Sequence, residues 1–237
     1  MIKDCVVAHS SDLHVDIEAA DSRQGHDGTQ NLKLVIDAAR RASADILLLA
    51  GDTFDSHRQP SHLIAVAATL ISNCGMQVVL LPGNHDPIIQ DSVYGNLLAG
   101  NGAVKNLHVL GVTHQTVVGF DNFGLEIWGK AHTGFEDMDP LPNGLEISAS
   151  RNILMAHGHY EENVDLTARH RPSWILDSLT LDRSKVAYVA LGHWNRAAQV
   201  GPSHLSAYYS GSPDYAGTIN LVKFKGGNAL VVSQVLV

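Results

Sequence analysis

The sequence predicts an α/β fold, and three observations carry that prediction. Five apolar runs of four to six residues stop abruptly at polar side chains: Cys5-Val6-Val7-Ala8, Ile46-Leu47-Leu48-Leu49-Ala50, Val78-Val79-Leu80-Leu81, Ile153-Leu154-Met155-Ala156 and Val186-Ala187-Tyr188-Val189-Ala190-Leu191. Between the first three runs lie segments with apolar residues at helical spacing, which makes strand–helix–strand units and parallel pairing. Later in the chain the pattern changes to brief alternating segments with Gly and Asn turns, which reads as antiparallel strands. In an open α/β sheet ligands bind beyond the carboxyl ends of the strands, so five polar motifs at five strand ends converge on one site.

In chain order, residues 3–8 form a short buried strand that runs out at His9-Ser10-Ser11-Asp12-Leu13-His14. Asp12 and His14 are two apart, so in extended backbone both point one way. Val15 to Gln30 is polar, carries Gly25 and Gly28, and reads as a loop beside the site. Leu32, Val35, Ile36 and Ala39 predict a helix from about Asn31 to Ser43. After the Ile46 strand, Leu63, Val66, Ala67 and Leu70 give a second helix from about Ser61 to Asn73, stopped by Gly75. The Val78 strand is followed by a short helix over Tyr94–Gly100, and Leu107 to Gly129 reads as antiparallel strands. Residues 132–145, with Gly134, Pro140, Pro142 and Gly144, form a long loop. Trp174, Ile175, Leu176 and Leu179 predict a helix between the last two apolar runs. The tail, Leu205 to Val237, alternates, turns at Gly211, Pro213 and Gly226-Gly227, and is expected to close the second sheet. No repeat or linker interrupts the chain, which reads as one domain over residues 1–237.

Bulk composition narrows the function. Hydrophobic residues make up 45% and charged residues 17%, with 16 Lys+Arg against 24 Asp+Glu for a net charge of −8. That balance argues against a general nucleic-acid surface, whose affinity rests on neutralising phosphates. It leaves room for a small phosphorylated substrate, because bound cations invert the local charge. The two cysteines, Cys5 and Cys74, have no paired ligand spacing and are expected as reduced, buried thiols. With charged residues in its first dozen positions and no apolar run of about 18 residues, the chain is expected to be cytoplasmic, without a membrane segment.

The strand-end motifs carry the chemistry. Gly83-Asn84-His85-Asp86 offers an amide oxygen for a cation, an imidazole able to give or take a proton, and a carboxylate able to hold that imidazole in one orientation. Asp12, His14, Asp52, Asn84, His157 and His193 present carboxylate, amide and imidazole donors, which suit Mn²⁺, Fe or Zn²⁺. They exceed what one ion needs. Two divalent ions about 3.5–4 Å apart, bridged by Asp52, account for them. His85 is then free to stabilise charge or protonate a leaving oxygen.

Taken together, D-x-H, GD-x-x-D, GNHD, H and GH-x-N resemble the calcineurin-like metallophosphoesterases. Within these, His9-Ser10-Ser11-Asp12-Leu13-His14, Gly51-Asp52-Thr53-Phe54-Asp55 and Tyr209-Ser210-Gly211-Ser212-Pro213 look most like the SbcD-type DNA-repair exonucleases, a resemblance spanning residues 9–213. It implies a four-layer αββα sandwich of two mixed β-sheets flanked by helices, and a dinuclear, usually manganese-supported, phosphoester hydrolase. Carried over by motif, Asp12, His14 and Asp52 hold one metal, and Asp52, Asn84, His157 and His193 the other. His85 is catalytic and Asp86 stands behind it. Two departures stand out. The family usually ends its last motif with a second histidine, where this chain has Asn195, a weaker ligand for these metals. SbcD-type nucleases also continue well past the GSP turn into a capping domain, whereas 24 residues follow Pro213 here. The expectation is therefore a compact phosphodiesterase acting on nucleotides, nucleic-acid ends (short or single-stranded) or small diesters. A phosphomonoesterase and a non-catalytic interaction domain on the same scaffold are the alternatives.

Other residues near these motifs have plainer readings. His9 is expected to be packed, Asp55 to support the site or cap a helix, and Trp194 to pack, with nucleobase stacking as its alternative. His159 competes with His157 as ligand. His57, His62, His108, His114 and His170 are expected to be solvated. Arg58 and Arg196 are candidates for a substrate phosphate, and His132 and His204 are left unassigned.

Overall fold

The computed structural model describes residues 2–17, 27–99, 104–162, 172–226 and 229–237. Gly25, Gly100, His170 and Gly227, all singled out from the sequence, lie outside them. The apolar runs become strands, and their continuous hydrophobicity has a simple cause: both faces of each strand are covered. Strand β1 (Cys5–Ser10) leads to helix α1 (Gln30–Arg41), β2 (Ile46–Ala50), α2 (Ser61–Ser72), β3 (Gln77–Leu81), α3 (Val93–Ala99) and β4 (Leu107–Val109). A hairpin of β5 (Val117–Phe120) and β6 (Leu125–Gly129) follows, then β7 (Arg151–His157). Next come β8 (His159–Tyr160), β9 (Ile175–Leu176), α4 (Ser178–Arg183), β10 (Tyr188–Gly192), β11 (Ala198–Val200) and β12 (Ala207–Tyr209). The short α5 (Pro213–Ala216) precedes β13 (Thr218–Lys225) and β14 (Ala229–Leu236).

Two six-stranded mixed sheets result, ordered β14-β13-β1-β2-β3-β4 and β11-β12-β10-β7-β6-β5, with β8 and β9 as a separate pair. In the first sheet β1 to β4 are parallel and β13 and β14 antiparallel; in the second, β12, β10, β7 and β6 are parallel and both edges antiparallel. Alternation along each strand then builds the layers. Ile46, Leu48 and Ala50 face the space between the sheets with Val79, Leu81, Ile153, Met155, Tyr188 and Ala190. Leu47 and Leu49 turn outward to Val35, Ile36, Ala39, Leu63 and Ala67 of α1 and α2. The outer face of the second sheet, Leu154, Ala156, Val189 and Leu191, is covered by Leu181 of α4 and by Leu141 from the preceding loop. This fourth layer is thin: α4 has six residues, against 12 in each of α1 and α2.

Three local expectations are corrected. Leu107–Val109 pairs parallel with β3, so the antiparallel pairing in that region is confined to the β5–β6 hairpin. The helix expected around Trp174 starts only at Ser178, because Ile175 and Leu176 pair with His159 and Tyr160 and a capping box on Asp177 sets the helix start. The tail divides: β12 joins the second sheet, while β13 and β14 extend the first from the β1 edge. Alternation alone identifies a strand but not the sheet it joins.

Candidate metal centre

The carboxyl ends of β1, β2, β3, β7 and β10 meet, and the polar side chains following them form one cluster. Ligand atoms of Asp12, His14 and Asp52 lie within 4.8 Å of one another, and so do those of Asp52, His157 and His193. Asp52 belongs to both trios. Asn84 completes the second, its Oδ1 lying 3.0 Å from His157 Nε2 and 3.2 Å from His193 Nδ1. A third trio, His14, Asp55 and His85, adjoins the first.

Close approach of the backbones makes this meeting possible. A Cβ on Gly192 would lie 1.9 Å from the Ala50 carbonyl oxygen, and one on Gly51 would lie 2.0 Å from His157 Nδ1. Only glycine lets the two sheets touch at these strand ends. The candidate ligand residues themselves adopt strained backbone. Asp12 (φ 55°), His14 (φ 47°), Asp52 (φ 51°) and His193 (φ 105°) all occupy the positive-φ region that non-glycine residues avoid. Strain of this kind persists only where surrounding structure enforces it, and it gathers at functional sites. It also corrects the geometry expected for Asp12 and His14. They do not share an extended strand face; they turn together because the Asp12, His14 and Val15 amides donate to the Gly51, Asp52 and Thr53 carbonyls.

The electrostatics fit a cation site. Asp12 and Asp52 are both buried. Burial, with Asp52's charge adding to it, pushes the Asp12 carboxyl up against the opposing effect of His157. Burial would raise Asp52 as well, but the charge and hydrogen bond of His157, with the His85 amide, hold it below the usual carboxylate range. His157, buried but facing Asp52 at 3.1 Å, is raised to about 10, whereas burial and the His157 charge lower His193 to about 4. Two buried carboxylates crowded among imidazoles form a poor hydrophobic core and a good cation cage. The donors are oxygen and nitrogen only, which suits hard or borderline divalent metals. His157 Nδ1 faces the Ala50 carbonyl at 2.9 Å, a contact that orients the ring and leaves Nε2 toward Asp52 and Asn84.

Around this cluster some expectations shift. His85 is exposed, with its amide donating to Asp52 Oδ1 at 2.9 Å and its Nδ1 3.0 Å from the Asp55 carbonyl and 3.7 Å from the Asp55 carboxylate. Asp86 does not hold the His85 ring. Its two oxygens accept from the Gly83 amide (2.7 Å) and the Phe54 amide (3.0 Å), pinning the β3 loop to the β2 loop. Burial and Asp52's charge raise it to about 6. Adjacent residues on a tight turn point apart, and the neighbour that does reach His85 is Asp55, whose carboxylate also lies 2.9 Å from His14 Nδ1. Asn195 is exposed, and its carbonyl accepts from the Ser212 amide at 3.2 Å. Trp194 stacks on Tyr209 with ring centroids 4.4 Å apart and donates to His159 Nδ1, so both Trp194 and His159 are engaged in packing. Arg196 is held against the Tyr215 hydroxyl and ring. His108 is half-buried and bonded to Gln77 rather than solvated. His132, for which the sequence offers no role, is buried with Nε2 2.9 Å from the His157 carbonyl. No periodic signal announces that contact, because a loop makes it across the site.

The fold and cluster define a class, proteins with paired mixed sheets that gather metal-type ligands at their strand ends. The calcineurin-like phosphoesterase family profile matches residues 5–197, and the chain belongs to that family of metal-dependent phosphoester hydrolases. The uncharacterized metallophosphoesterase YhaO of Bacillus subtilis (strain 168) is 23% identical over 229 residues; the match covers 90% of this chain and 54% of YhaO, so the chain spans about half the length of that relative. Among solved structures, TT1561 of Thermus thermophilus superposes with a TM-score of 0.60 at 14% identity, covering 98% of this chain and 99% of that one. A 5′-nucleotidase precursor from the same organism gives 0.57 at 12% identity, covering 99% of this chain and 54% of that one. These likenesses establish the fold. Among the described residues no helix is long and apolar enough to cross a membrane.

Proposed function

We propose that the protein is a two-metal phosphodiesterase acting on nucleotide, nucleic-acid-end or small diester substrates. The observation that carries this reading is the sharing of Asp52 between two ligand trios, with Asn84 completing one of them. Asp12, His14 and Asp52 would hold one divalent ion, with Asn195 at the edge of that set. Asp52, Asn84, His157 and His193 would hold the other. Mn²⁺ is the preferred metal, with Fe or Zn²⁺ as alternatives, because the donors are oxygen and imidazole. When bound, such ions supply charge neutralisation at the phosphate and activation of water as nucleophile. The chain's own residues do the rest. Asp52 supplies the charged oxygen common to both positions. His85, exposed beside the cluster and steadied through Nδ1 by Asp55, presents Nε2 as a proton donor to the leaving oxygen. Asp86 keeps Asn84 and His85 in place by tying their loop to that of Asp52. Residues 1–237 act as one domain, supported by the apolar core continuous between the sheets. The buried free thiols of Cys5 and Cys74 suit a reducing, cytoplasmic setting.

The test is an assay series with Mn²⁺ that compares a small diester, a monoester and single-stranded DNA, each before and after exhaustive chelation. Diester turnover that vanishes on chelation and returns with Mn²⁺ is expected. Full turnover without metal would overturn the metal-centred reading, and turnover confined to the monoester would overturn the diester assignment.

A further inference from the structure

One wall beside the ligand cluster is aromatic, and none of the roles above uses it. The segment after β6 runs past the cluster. At one end His132 packs edge-on against His157, with centroids 5.7 Å apart. Three residues later Phe135, 57% exposed, meets His57 edge-on at 5.6 Å, two residues beyond Asp55. Trp174 closes the other side. Its ring packs edge-on against His193 at 5.8 Å and against His132 at 5.2 Å.

A singly exposed phenylalanine is ordinary on a protein surface. What distinguishes this one is the way its segment is held. The Trp174 amide donates to Asp137 Oδ1 at 2.8 Å and its indole N–H to the Glu136 carbonyl at 3.1 Å, which ties Trp174 to the residues following Phe135. To make these contacts Trp174 adopts φ 54°, a conformation that a bulky aromatic residue avoids. The fold thus sustains backbone strain to hold an indole between a candidate metal ligand and the Phe135 segment.

We propose that Phe135 and Trp174 form a stacking subsite for the nucleobase of a nucleotidic phosphodiester bound at the metal centre, an inference that rests on the hydrolase reading above. The chemistry of the wall selects the ligand. Its neighbour Glu136 is acidic and exposed and disfavours a second phosphate, while a base offers an uncharged π-face. The metal centre would hold the phosphate under attack, and a net charge of −8 gives little further hold on a phosphate backbone, so preference for a nucleoside ester would come from stacking.

Two p-nitrophenyl diesters with the same leaving group separate the subsite from the chemistry: the ester of thymidine 5′-monophosphate and that of methyl phosphate. Phe135→Ala is expected to raise KM for the nucleoside ester by about 5- to 30-fold, the size of one lost stacking contact. The methyl ester should change by less than about twofold, and Phe135→Tyr should restore the nucleoside ester while Phe135→Leu does not. An equal effect on both esters, or none on either, overturns the subsite. Equilibrium binding of thymidine 5′-monophosphate and of inorganic phosphate, with Mn²⁺ present, is measured on the same variants. Should wild-type protein hydrolyse neither ester, the hydrolase reading fails while binding still decides the subsite. Nucleotide binding weakened by Phe135→Ala with phosphate binding unchanged supports it, and nucleotide binding indifferent to Phe135 overturns it.

Discussion

Two buried polar groups occupy the space between the sheets, and they are built on opposite principles. Within the strands, His9 Nδ1 lies 3.0 Å from the Tyr188 hydroxyl, and Asn220 Nδ2 donates to that hydroxyl (3.4 Å) and to the Tyr209 carbonyl (3.3 Å). Gln234 donates to Asn220 Oδ1 at 3.3 Å. This network holds no carboxylate, and none of its residues has positive φ. It links β1, β10, β13 and β14 across the two sheets. At the strand ends, by contrast, Asp12 and Asp52 are buried together among imidazoles, and four candidate ligand residues are strained. Burial of polar groups is common to both. Buried carboxylates and backbone strain belong to one, and those two features mark a site built for a ligand rather than for cohesion.

The contrast can be broken most severely at Asp52. Asp52→Asn should lower metal-supported turnover by on the order of 10³-fold or more, the scale of removing a preorganised charge, while the fold persists. Metal content and kcat measured on one preparation check this; near wild-type values for both would remove the basis for the shared-ligand reading. His85→Ala should leave metal content intact and cost about 10²-fold in kcat on a substrate with a poor leaving group. The loss should be smaller for an activated aryl ester. Metal lost together with activity would make His85 a ligand instead.

At the other group the losses should fall on stability. Asn220→Ala removes the bridge among Tyr188, Tyr209 and Gln234 and should destabilise the fold by about 1–3 kcal/mol, the usual cost of stranding buried partners. Below the unfolding transition kcat should stay within about twofold. A variant that folds normally and loses turnover would show that the two groups are coupled. The last effect concerns pH. Burial lowers His9 from 6.5 to about 3, so the folded state keeps it neutral while the unfolded chain protonates it below 6.5. Its contribution to stability is therefore present above 6.5 and is lost as pH falls toward 3, at up to about 1.4 kcal/mol per pH unit. Denaturant unfolding of wild-type protein and His9→Asn between pH 6.5 and 4.5 should show the shallower slope in the variant. Parallel slopes would mean that His9 is protonated in place.

Much of the candidate site was legible because strand ends carry their motifs in sequence. Asp12, His14, Asp52, Asn84, His157 and His193 were all named from the apolar runs that precede them, and the structure gathers all six. Residues reached across loops were not legible. Asp55 rather than Asp86 stands at His85, and His132 and Trp174 back His157 and His193 from segments whose composition signals only a loop or a helix. The difference is one of range. A motif next to a strand inherits its position from that strand, whereas a contact between loops depends on how two distant segments pack.

The same division holds for the whole protein. Sequence by itself determined the α/β class, the positions of α1 and α2, and the strand ends that bear the candidate ligands, because hydrophobic period and stop signals act within a few residues. Tertiary structure alone decided that β13 and β14 join the first sheet, that β4 runs parallel to β3, and that Asp12 and His14 turn into positive φ to meet Asp52. Those outcomes rest on backbone hydrogen bonds between residues far apart in the chain, such as His9 beside Asn220, and on sheet contacts that only glycine at residues 51 and 192 permits. No local preference along the chain encodes which of two sheets will offer an edge strand its partner.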